Sequence, residues 1–314
     1  WVAAAAIAWL CVATGGAAVP GEGTCRVGAG EEACPAAGRP SITIITSYTP
    51  NIASYGDASS QLLERYGRLH GYRVVVERPP EAPARLPARK RRPPQWDKLL
   101  VLQRHLSSSD YVVWVDADVL VTNPRKSIEE VIHADEEYPG EVIHWGSAPG
   151  GCDLWAAQDE VLEWAPDWRE NNYMGVPINL LVNSGVLVMR NSPTAAEMLE
   201  ELWALGDKGL HKKFDYAWAQ KAPGDPGYGW PFEQGAFWEL LSQSPQWQAR
   251  ACVVRPAVLN SMRNPLAAPA AARPLLFHAA ALHPGQRVEA AQQALALAAA
   301  EWPPGPPPDG SAEA

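Results

Sequence analysis

The chain has 314 residues, of which 47% are hydrophobic and 19% are charged, and its net charge at pH 7 is -9. A chain of this length and hydrophobicity forms one large α/β domain or two small ones around a substantial core. The acidic balance argues against general nucleic-acid binding, which requires a basic surface, so we expect no nucleic-acid partner.

The first 40 residues have the composition of a targeting segment followed by a spacer. Residues 1–14 are uncharged and apolar, but the run is shorter than the roughly 20 residues of a typical membrane-spanning helix. We therefore interpret residues 1–20 as a signal peptide or the remainder of a signal anchor, with a buried helix as the alternative. Residues 21–40 are rich in Gly, Ala and Pro and are predicted to be a flexible stem. If it is retained, the first segment attaches the chain to a membrane of the secretory pathway.

The cysteines are compatible with an oxidising compartment. None of the five shows the C-x-x-C spacing of a zinc site. Cys25 can close a small loop with Cys34, and Cys152 can close a long one with Cys252. Both pairings fit a lumenal protein.

Alternating strand and helix patterns predict one α/β domain over residues 41–290. Residues 42–46 predict a strand, residues 53–70 a helix that Gly71 ends, and residues 72–77 a second strand, which together begin a βαβ unit. The remaining predicted helices cover 96–106, 123–134, 193–205 and 232–241, and the remaining strands cover 111–115, 141–145, 186–189, 251–255 and 275–278. Residues 146–178 are predicted to be mostly loop, and 291–314 to be a helical end and a disordered Pro-rich tail. Residues 79–95 are predicted to be a solvated insertion or a basic flap near an anionic ligand.

A short strand that ends in two aspartates is the most informative stretch of the chain. Residues 111–115 read YVVWV and are followed by Asp116, Ala117 and Asp118. A run this apolar is typical of a strand in the middle of a parallel sheet, and ligands of open α/β sheets bind beyond the carboxyl ends of the strands. In extended backbone, residues i and i+2 point to the same side, so both carboxylates can face one ion. Carboxylate oxygens suit Mg²⁺ or Mn²⁺, which also bind substrate phosphates.

Four further motifs accompany this D-x-D in a fixed order. They are Trp96-x-Lys98 before it, then Asn183-Ser184-Gly185 leading into a strand that ends at Arg190-Asn191, then Glu233-Gln234, then Phe277-His278. In this order the motifs resemble glycosyltransferase family 34, the galactosyl, mannosyl and xylosyl transferases of Golgi membranes. The resemblance covers about residues 41–284. One departure is that the family's H-F-x-G is here His278-Ala279-Ala280-Ala281, with no lysine close behind it; His283 or Arg287 are the candidates to replace that lysine.

The resemblance implies an α/β architecture, the GT-A nucleotide-diphospho-sugar transferase fold, with a Rossmann-like mixed sheet flanked by helices. It implies a metal-dependent transfer of a hexose or pentose from a UDP- or GDP-linked nucleotide-sugar donor to a glycan acceptor, with retention of configuration. The expected cofactor is Mn²⁺ (or Mg²⁺). The expected location is a Golgi membrane, with a lumenal catalytic domain behind a type II anchor.

The metal ligands are expected to be two carboxylates and one imidazole. Asp118 is expected to bind the metal directly, and Asp116 to bind either the metal or the ribose hydroxyls. His278, at the end of a late strand, is expected to supply the third ligand through a neutral imidazole nitrogen. The metal would neutralise the diphosphate as it leaves.

The other site residues fall into two predicted groups. Those expected to bind the nucleotide sugar are Thr46, Ser47, Tyr48, Lys98, Asp116, Ala117, Asp118, Ser184 and Gly185, where Lys98 either pairs with a phosphate or neutralises an acidic neighbour. Those expected to be catalytic are Glu233, Gln234 and Asn183, with the Glu-Gln pair beneath the anomeric carbon. Two plainer interpretations stay open: the N-S-G motif as an ordinary turn before a strand, and an acid at a helix start that favours the helix dipole.

Two other functions remain possible from the sequence. A haloacid-dehalogenase-like phosphatase also ends an apolar strand in D-x-D and uses one Asp as its nucleophile, although there the motif lies on the first strand and here other strands precede it. A catalytically inactive, glycan-binding paralogue would keep the same fold.

Overall fold

The computed structural model of the protein describes residues 24–26, 31–33, 38–79, 94–160, 180–206 and 232–303. The chain divides into two compact units, residues 1–39 and residues 40–314. In the first unit, strands β1 (Thr24–Arg26) and β2 (Glu31–Ala33) pair antiparallel within the stretch predicted to be a stem. The predicted signal segment at 1–20, most of the basic insertion at 79–95 and the Pro-rich tail lie outside the described residues.

The second unit alternates strands and helices along the chain. Its strands are β3 (Ile42–Ser47), β4 (Arg73–Glu77), β5 (Tyr111–Val115), β6 (Val119–Val121), β7 (Val142–His144), β8 (Leu154–Gln158), β9 (Val182–Arg190), β10 (Ala251–Val254), β11 (Asn260–Ser261) and β12 (Leu276–His278). Its helices are α1 (Ala53–His70), α2 (Asp97–His105), α3 (Ile128–Ile132), α4 (Ala134–Glu137), α5 (Pro193–Leu205), α6 (Phe232–Gln243), α7 (Pro245–Gln248) and α8 (Pro284–Glu301). Among the described residues, no helix is long and apolar enough to cross a bilayer.

Within this described part, seven strands form one mixed sheet in the order β4-β3-β5-β9-β8-β10-β7. Strands β4, β3 and β5 run parallel, whereas β9 is antiparallel to both β5 and β8. The prediction that β5 lies among parallel neighbours is therefore right on one side only. A second sheet has the strand order β11-β12-β6, and its strand β6 follows β5 directly in the chain. Because β12 pairs with β6, this strand from late in the chain lies near the end of β5.

The two faces of the large sheet are covered by apolar side chains from different helices. One core contains residues of α1 and α8, and the other contains residues of α2, α5 and α6. The side chains of residues 112–115 of β5 alternate between these two cores and are all buried. This burial on both faces explains why the strand is apolar throughout. Gly71, at φ 73°, ends α1 in the left-handed conformation that glycine adopts without strain.

Three predicted elements differ from the structure. The helix predicted at 123–134 is wrong at its start, because Ser127 caps α3 with a side-chain bond from the Glu130 N–H and Pro124 lies in a turn before it. The stretch predicted to be loop, 146–178, contains strand β8, and its residues 161–178 lie outside the described part. Strand β9 begins at Val182 rather than 186, so the N-S-G motif lies inside a strand and not in a turn before one.

The N-S-G motif forms an irregularity in β9. Ala156 of β8 is opposite Leu187, but the next residue, Ala157, is opposite Asn183, so three residues of β9 (184–186) have no partner across this register shift. Such bulges re-aim side chains next to functional sites. On the other side of β9, Val186 still pairs with Val115 at the end of β5. The bulge therefore lies beside the D-x-D.

The structure also contains the predicted disulfide between Cys152 and Cys252. It joins the segment just before β8 to β10, the parallel neighbour of β8, and both cysteines are buried in the core. The side chains of the other proposed pair, Cys25 and Cys34, lie outside the described part.

Candidate active site

The D-x-D forms a turn rather than an extended segment. The Val119 N–H donates to the Asp116 carbonyl oxygen at 3.0 Å, which closes a turn over Ala117 and Asp118. The expectation of extended backbone is therefore wrong, because the chain must reverse here from β5 into β6. The turn is anchored on one side by a bond from the Asp116 N–H to the Gly185 carbonyl oxygen at 2.8 Å.

Strand pairing brings His278 to this turn. In the small sheet His278 of β12 is opposite Val119 of β6, and the Ala279 N–H donates to the Asp118 carbonyl oxygen at 2.9 Å. The Nε2 atom of His278 lies 3.3 Å from an Asp118 oxygen and 4.0 Å from an Asp116 oxygen. One potential ligand atom from each of the three residues lies within 4.8 Å of the others. The predicted metal ligands therefore converge.

The residues of this cluster fit a divalent cation. Two carboxylates and an imidazole suit Mn²⁺, and the oxygens suit Mg²⁺. The His278 side chain is buried, while the side chain of Asp116 is 27% exposed, so one side of the cluster is open to a substrate ligand. The charges also fit, since three carboxylates (Asp116, Asp118 and Glu233) contact two fixed cations (Lys98 and Arg287), which leaves one negative charge in excess before His278 is counted.

Asp118 is held in its ionised form. Burial alone would raise the pKa of its carboxyl group, but His278 and Arg287 outweigh burial and lower the pKa to about 2. Burial alone would lower the pKa of His278, and Asp118 and then Asp116 raise it overall. The carboxylate is thus available to a cation at neutral pH.

Arg287 is the basic residue that reaches the site. Its Nη1 lies 3.0 Å from an Asp118 oxygen, and its other nitrogens donate to the carbonyl oxygens of Leu282 and Ala280. Those two carbonyls belong to the segment between His278 and α8, so Arg287, in the first turn of α8, links this segment to Asp118. Of the two residues considered as replacements for the family's lysine, Arg287 is the one placed at the carboxylates.

Lys98, on α2, is buried between two carboxylates. Its Nζ lies 3.0 Å from an Asp116 oxygen and 2.8 Å from a Glu233 oxygen. Burial alone would lower the pKa of Lys98, but Asp116 and Glu233 raise it above its ordinary value, so the ammonium group stays charged. Lys98 was predicted either to pair with a phosphate or to neutralise an acidic neighbour, and these contacts agree with the second role. Contact with a donor phosphate stays a prediction.

Glu233 and Gln234, at the start of α6, are joined to the N-S-G motif. The Ser184 hydroxyl donates to Glu233 Oε1 at 2.9 Å, and the Ser184 N–H donates to Gln234 Oε1 at 2.8 Å. Burial raises the pKa of Glu233, and Lys98 opposes this rise. The second oxygen of Glu233, Oε2, is buried and has no hydrogen-bond partner within the described residues. The position in the first turn also fits the favourable helix dipole.

The N-S-G motif contacts the metal cluster through its first and third residues. The Asn183 side-chain oxygen lies 3.1 Å from Nδ1 of His278. A methyl group at Gly185 would lie 2.3 Å from the His278 ring, so only glycine allows this approach. The predicted catalytic Asn183 and the predicted donor-binding Gly185 are therefore both in contact with the third metal ligand.

Strand β3 lies next to β5 in the large sheet, but none of the described contacts at its end reaches Asp116, Asp118 or His278. Thr46 is fully buried and its hydroxyl has no hydrogen-bond partner in the part of the chain that the structure describes. The Tyr48 hydroxyl donates to Asp57 at 2.7 Å and accepts from Arg78 at 2.9 Å. No described contact joins Thr46, Ser47 or Tyr48 to the carboxylates, so their contact with a donor stays a prediction.

Two residues of the network were not predicted from the sequence. Gln234 donates to Asp159 at 2.6 Å, and Asn260 of β11 donates to the Asn183 oxygen at 3.0 Å. Asp159 follows β8 directly, but the strand pattern of β8 is too weak to predict, so Asp159 could not be recognised as a residue at a strand end. Asn260 follows the short connection after β10, which has no recognisable motif, and no sequence signal points to it.

Comparison with solved structures defines the class of protein. The fold matches a glycosyltransferase involved in the glycosylation of the major capsid of PBCV-1, with a TM-score of 0.51 and 19% identity over 81% of this chain and 99% of that chain. Weaker matches are the galactosyltransferase LgtC in complex with donor and acceptor sugar analogues (TM-score 0.42, 13% identity, 80% of this chain, 95% of that chain) and mouse xyloside xylosyltransferase 1 (TM-score 0.40, 11% identity, 76% and 97%), from which we draw no conclusion. A search of curated proteins finds no significant relative. Together with the D-x-D turn, the first likeness identifies a GT-A fold.

The chain belongs to the galactosyl transferase GMA12/MNN10 family, which is glycosyltransferase family 34 and whose model matches residues 46–287. The family resemblance and the GT-A fold expected from the sequence are thereby confirmed, and the protein is a glycosyltransferase. The phosphatase alternative is wrong, because neither the family nor the strand order fits it.

Proposed function

We propose that the protein transfers a hexose or pentose from a UDP- or GDP-linked donor to a glycan acceptor, with Mn²⁺ or Mg²⁺ held by Asp116, Asp118 and His278. The observation that carries the proposal is the convergence of three ligand atoms within 4.8 Å at the end of β5, on residues separated by 160 positions in the chain. Family membership supports the sugar transfer itself.

The residues around the cluster support a role in binding a diphosphate. When bound, the divalent cation acts as a Lewis acid that neutralises charge on a leaving phosphate. Arg287, next to Asp118, is placed to add a second positive charge on the same side. Lys98 forms ion pairs with both Glu233 and Asp116, so it fixes the orientation of the two carboxylates.

Retention of configuration forms part of the proposal. In such a transfer the departing phosphate can accept the proton of the acceptor hydroxyl, so a separate base is not required. Glu233 and Gln234 are proposed to lie beneath the anomeric carbon, and this role is consistent with Oε2 of Glu233, which is buried without a hydrogen-bond partner among the described residues. Proton NMR of the first-formed product tests it, since an anomeric coupling that differs from that of the donor would contradict retention.

A donor screen tests the proposed activity. Purified protein is incubated with Mn²⁺, a mixture of oligosaccharide acceptors and, in turn, UDP-glucose, UDP-galactose, UDP-xylose and GDP-mannose, and the released nucleotide is measured. We expect acceptor-dependent release from one donor, its loss with EDTA, and a decrease of at least about 10³-fold in Asp118→Asn. Glu141→Gln, at an exposed ion pair with Arg255, is the control variant and should keep full activity. Equal turnover in EDTA would reject the metal-dependent function.

We also propose that the protein acts in the lumen of the secretory pathway, at a Golgi membrane. The buried disulfide between Cys152 and Cys252 supports an oxidising compartment. Protease protection of the full-length protein in sealed microsomes tests this proposal, and digestion without detergent would contradict it.

A further inference from the structure

We propose that Asn183 is a positioning residue that holds the hydrogen of the His278 imidazole on Nδ1, so that Nε2 presents its lone pair to the divalent cation. The inference rests on the proposed metal site and assigns the first residue of the N-S-G motif to the support of that site. The supporting observations are the contacts among Asn183, Gly185 and His278.

The orientation of the Asn183 amide is set by a backbone donor. The Gly185 N–H donates to the Asn183 side-chain oxygen at 2.9 Å. Because a backbone N–H can only donate, the atom that faces it must be the oxygen and not the amide nitrogen. The nitrogen of the same amide points the other way, 3.4 Å from a carboxylate oxygen of Asp159.

This orientation determines which nitrogen of His278 carries a hydrogen. Nδ1 of His278 lies 3.1 Å from the same Asn183 oxygen, which can only accept, so Nδ1 must donate. In a neutral ring, Nε2 then has the free lone pair. Nε2 is also the atom that faces the carboxylates of Asp118 and Asp116 at 3.3 and 4.0 Å. Nδ1 therefore keeps its hydrogen whether or not a cation is bound, and a cation between the carboxylates displaces only the hydrogen of Nε2.

Two neighbouring residues hold the Asn183 amide and the His278 ring in their relative positions. Asn260 of β11 donates to the same Asn183 oxygen at 3.0 Å, which adds a third donor and opposes rotation of the amide. Gly185 leaves the space that the ring occupies, since any Cβ there would overlap His278. All of these side chains are buried, so water does not compete for the bonds. A hydrogen-bonded partner of this kind fixes ring orientation and raises the affinity of a histidine ligand for metal.

The direct test is the position of the hydrogen on His278. In protein labelled with ¹⁵N-histidine, two-bond ¹H–¹⁵N spectra distinguish the two neutral forms, and His278→Gln identifies the signal. We expect Nδ1 to carry a hydrogen both in the metal-free protein and after the diamagnetic cation Mg²⁺ is added. We expect Asn183→Leu, which has similar volume and no acceptor, to lose this preference and to bind Mn²⁺ about 10- to 100-fold more weakly by EPR titration.

Asn123→Leu is the matched control. Asn123 is equally buried, and its oxygen also accepts from the N–H two residues later, but it does not touch His278. It should leave both the ring signal and the Mn²⁺ affinity unchanged. If Asn183→Leu does not fold, the unmodified protein and Asn260→Ala, which removes one donor to the same oxygen, give the answer by the same spectra.

The outcomes separate this inference from the proposed function. A His278 ring without a hydrogen on Nδ1 in the unmodified protein would overturn the inference whether or not the protein is active. Unchanged Mn²⁺ affinity and ring signal in Asn183→Leu would do the same. Absence of any Mn²⁺ binding by the unmodified protein, with or without UDP, would instead reject the proposed metal-dependent function and leave the assignment of the ring hydrogen to the spectra.

Discussion

At the scale of single residues, Lys98 has the largest predicted effect on stability. It is 3% exposed and contacts two carboxylates, one of which belongs to the equally buried Glu233. Lys98→Met keeps the volume but leaves Glu233 as a buried charge without its cation. We expect a loss of about 3–5 kcal/mol in the free energy of unfolding, measured by urea denaturation.

A surface ion pair provides the control for Lys98. Arg104 contacts Glu77 at 2.6 Å, but its side chain is 54% exposed. Exposed pairs contribute about 0–1 kcal/mol, so Arg104→Met should change stability little. Adding Glu233→Gln to Lys98→Met should recover part of the loss, because the uncompensated charge is then removed. Equal effects of Lys98→Met and Arg104→Met would show that the buried pair is not important for stability.

Gly185 provides a second prediction at this scale. Its substitution by alanine places a methyl group 2.3 Å from the His278 ring, so the ring must move away from the carboxylates. We expect Gly185→Ala to weaken Mn²⁺ binding at least about 10-fold by EPR titration. Gly285→Ala, in the first turn of α8 where a methyl group meets nothing within 4 Å, is the matched control and should bind Mn²⁺ normally. Normal binding by Gly185→Ala would mean that His278 is not a ligand.

At the scale of secondary-structure elements, the disulfide between Cys152 and Cys252 stabilises the half of the sheet that contains β8 and β10. The two cysteines are 100 residues apart in the chain, and a bridge that closes so long a loop restricts the unfolded state strongly. We expect the double variant Cys152→Ala, Cys252→Ala to lose about 2–5 kcal/mol of unfolding free energy in urea. Coincident unfolding curves for the variant and the unmodified protein would contradict this role.

The elements that could be predicted from the sequence are those with strong local signals. Strands β3 and β5 are continuous apolar runs, and α1 has a clear helical period with Gly71 after it. The elements that were missed or displaced depend on contacts that are distant in sequence. Strand β8 contains Trp155 and two alanines and is recognisable only by its pairing with β9 and β10, and α3 begins at a capping box that follows, rather than includes, Pro124.

At the scale of the whole molecule, the site is assembled by topology that the sequence does not reveal. The order of the motifs predicted that Asp116, Asp118 and His278 belong together, and their convergence through the pairing of β6 with β12 agrees with this. The reason for their proximity was predicted wrongly, since the D-x-D is a turn and not extended backbone. The supporting residues Asp159, Asn260 and Arg287 reach the site from three separate elements, so local patterns alone could not place them.

The central claim is that a divalent cation binds between the D-x-D turn and His278 and contacts the donor's diphosphate. The most direct measurement is anomalous diffraction at the manganese edge from crystals grown with Mn²⁺ and UDP. The account predicts a single strong peak bonded to Asp118 and His278, with the diphosphate oxygens on its open side. A peak elsewhere in the molecule, or a UDP diphosphate bound far from these residues with no metal between them, would contradict it.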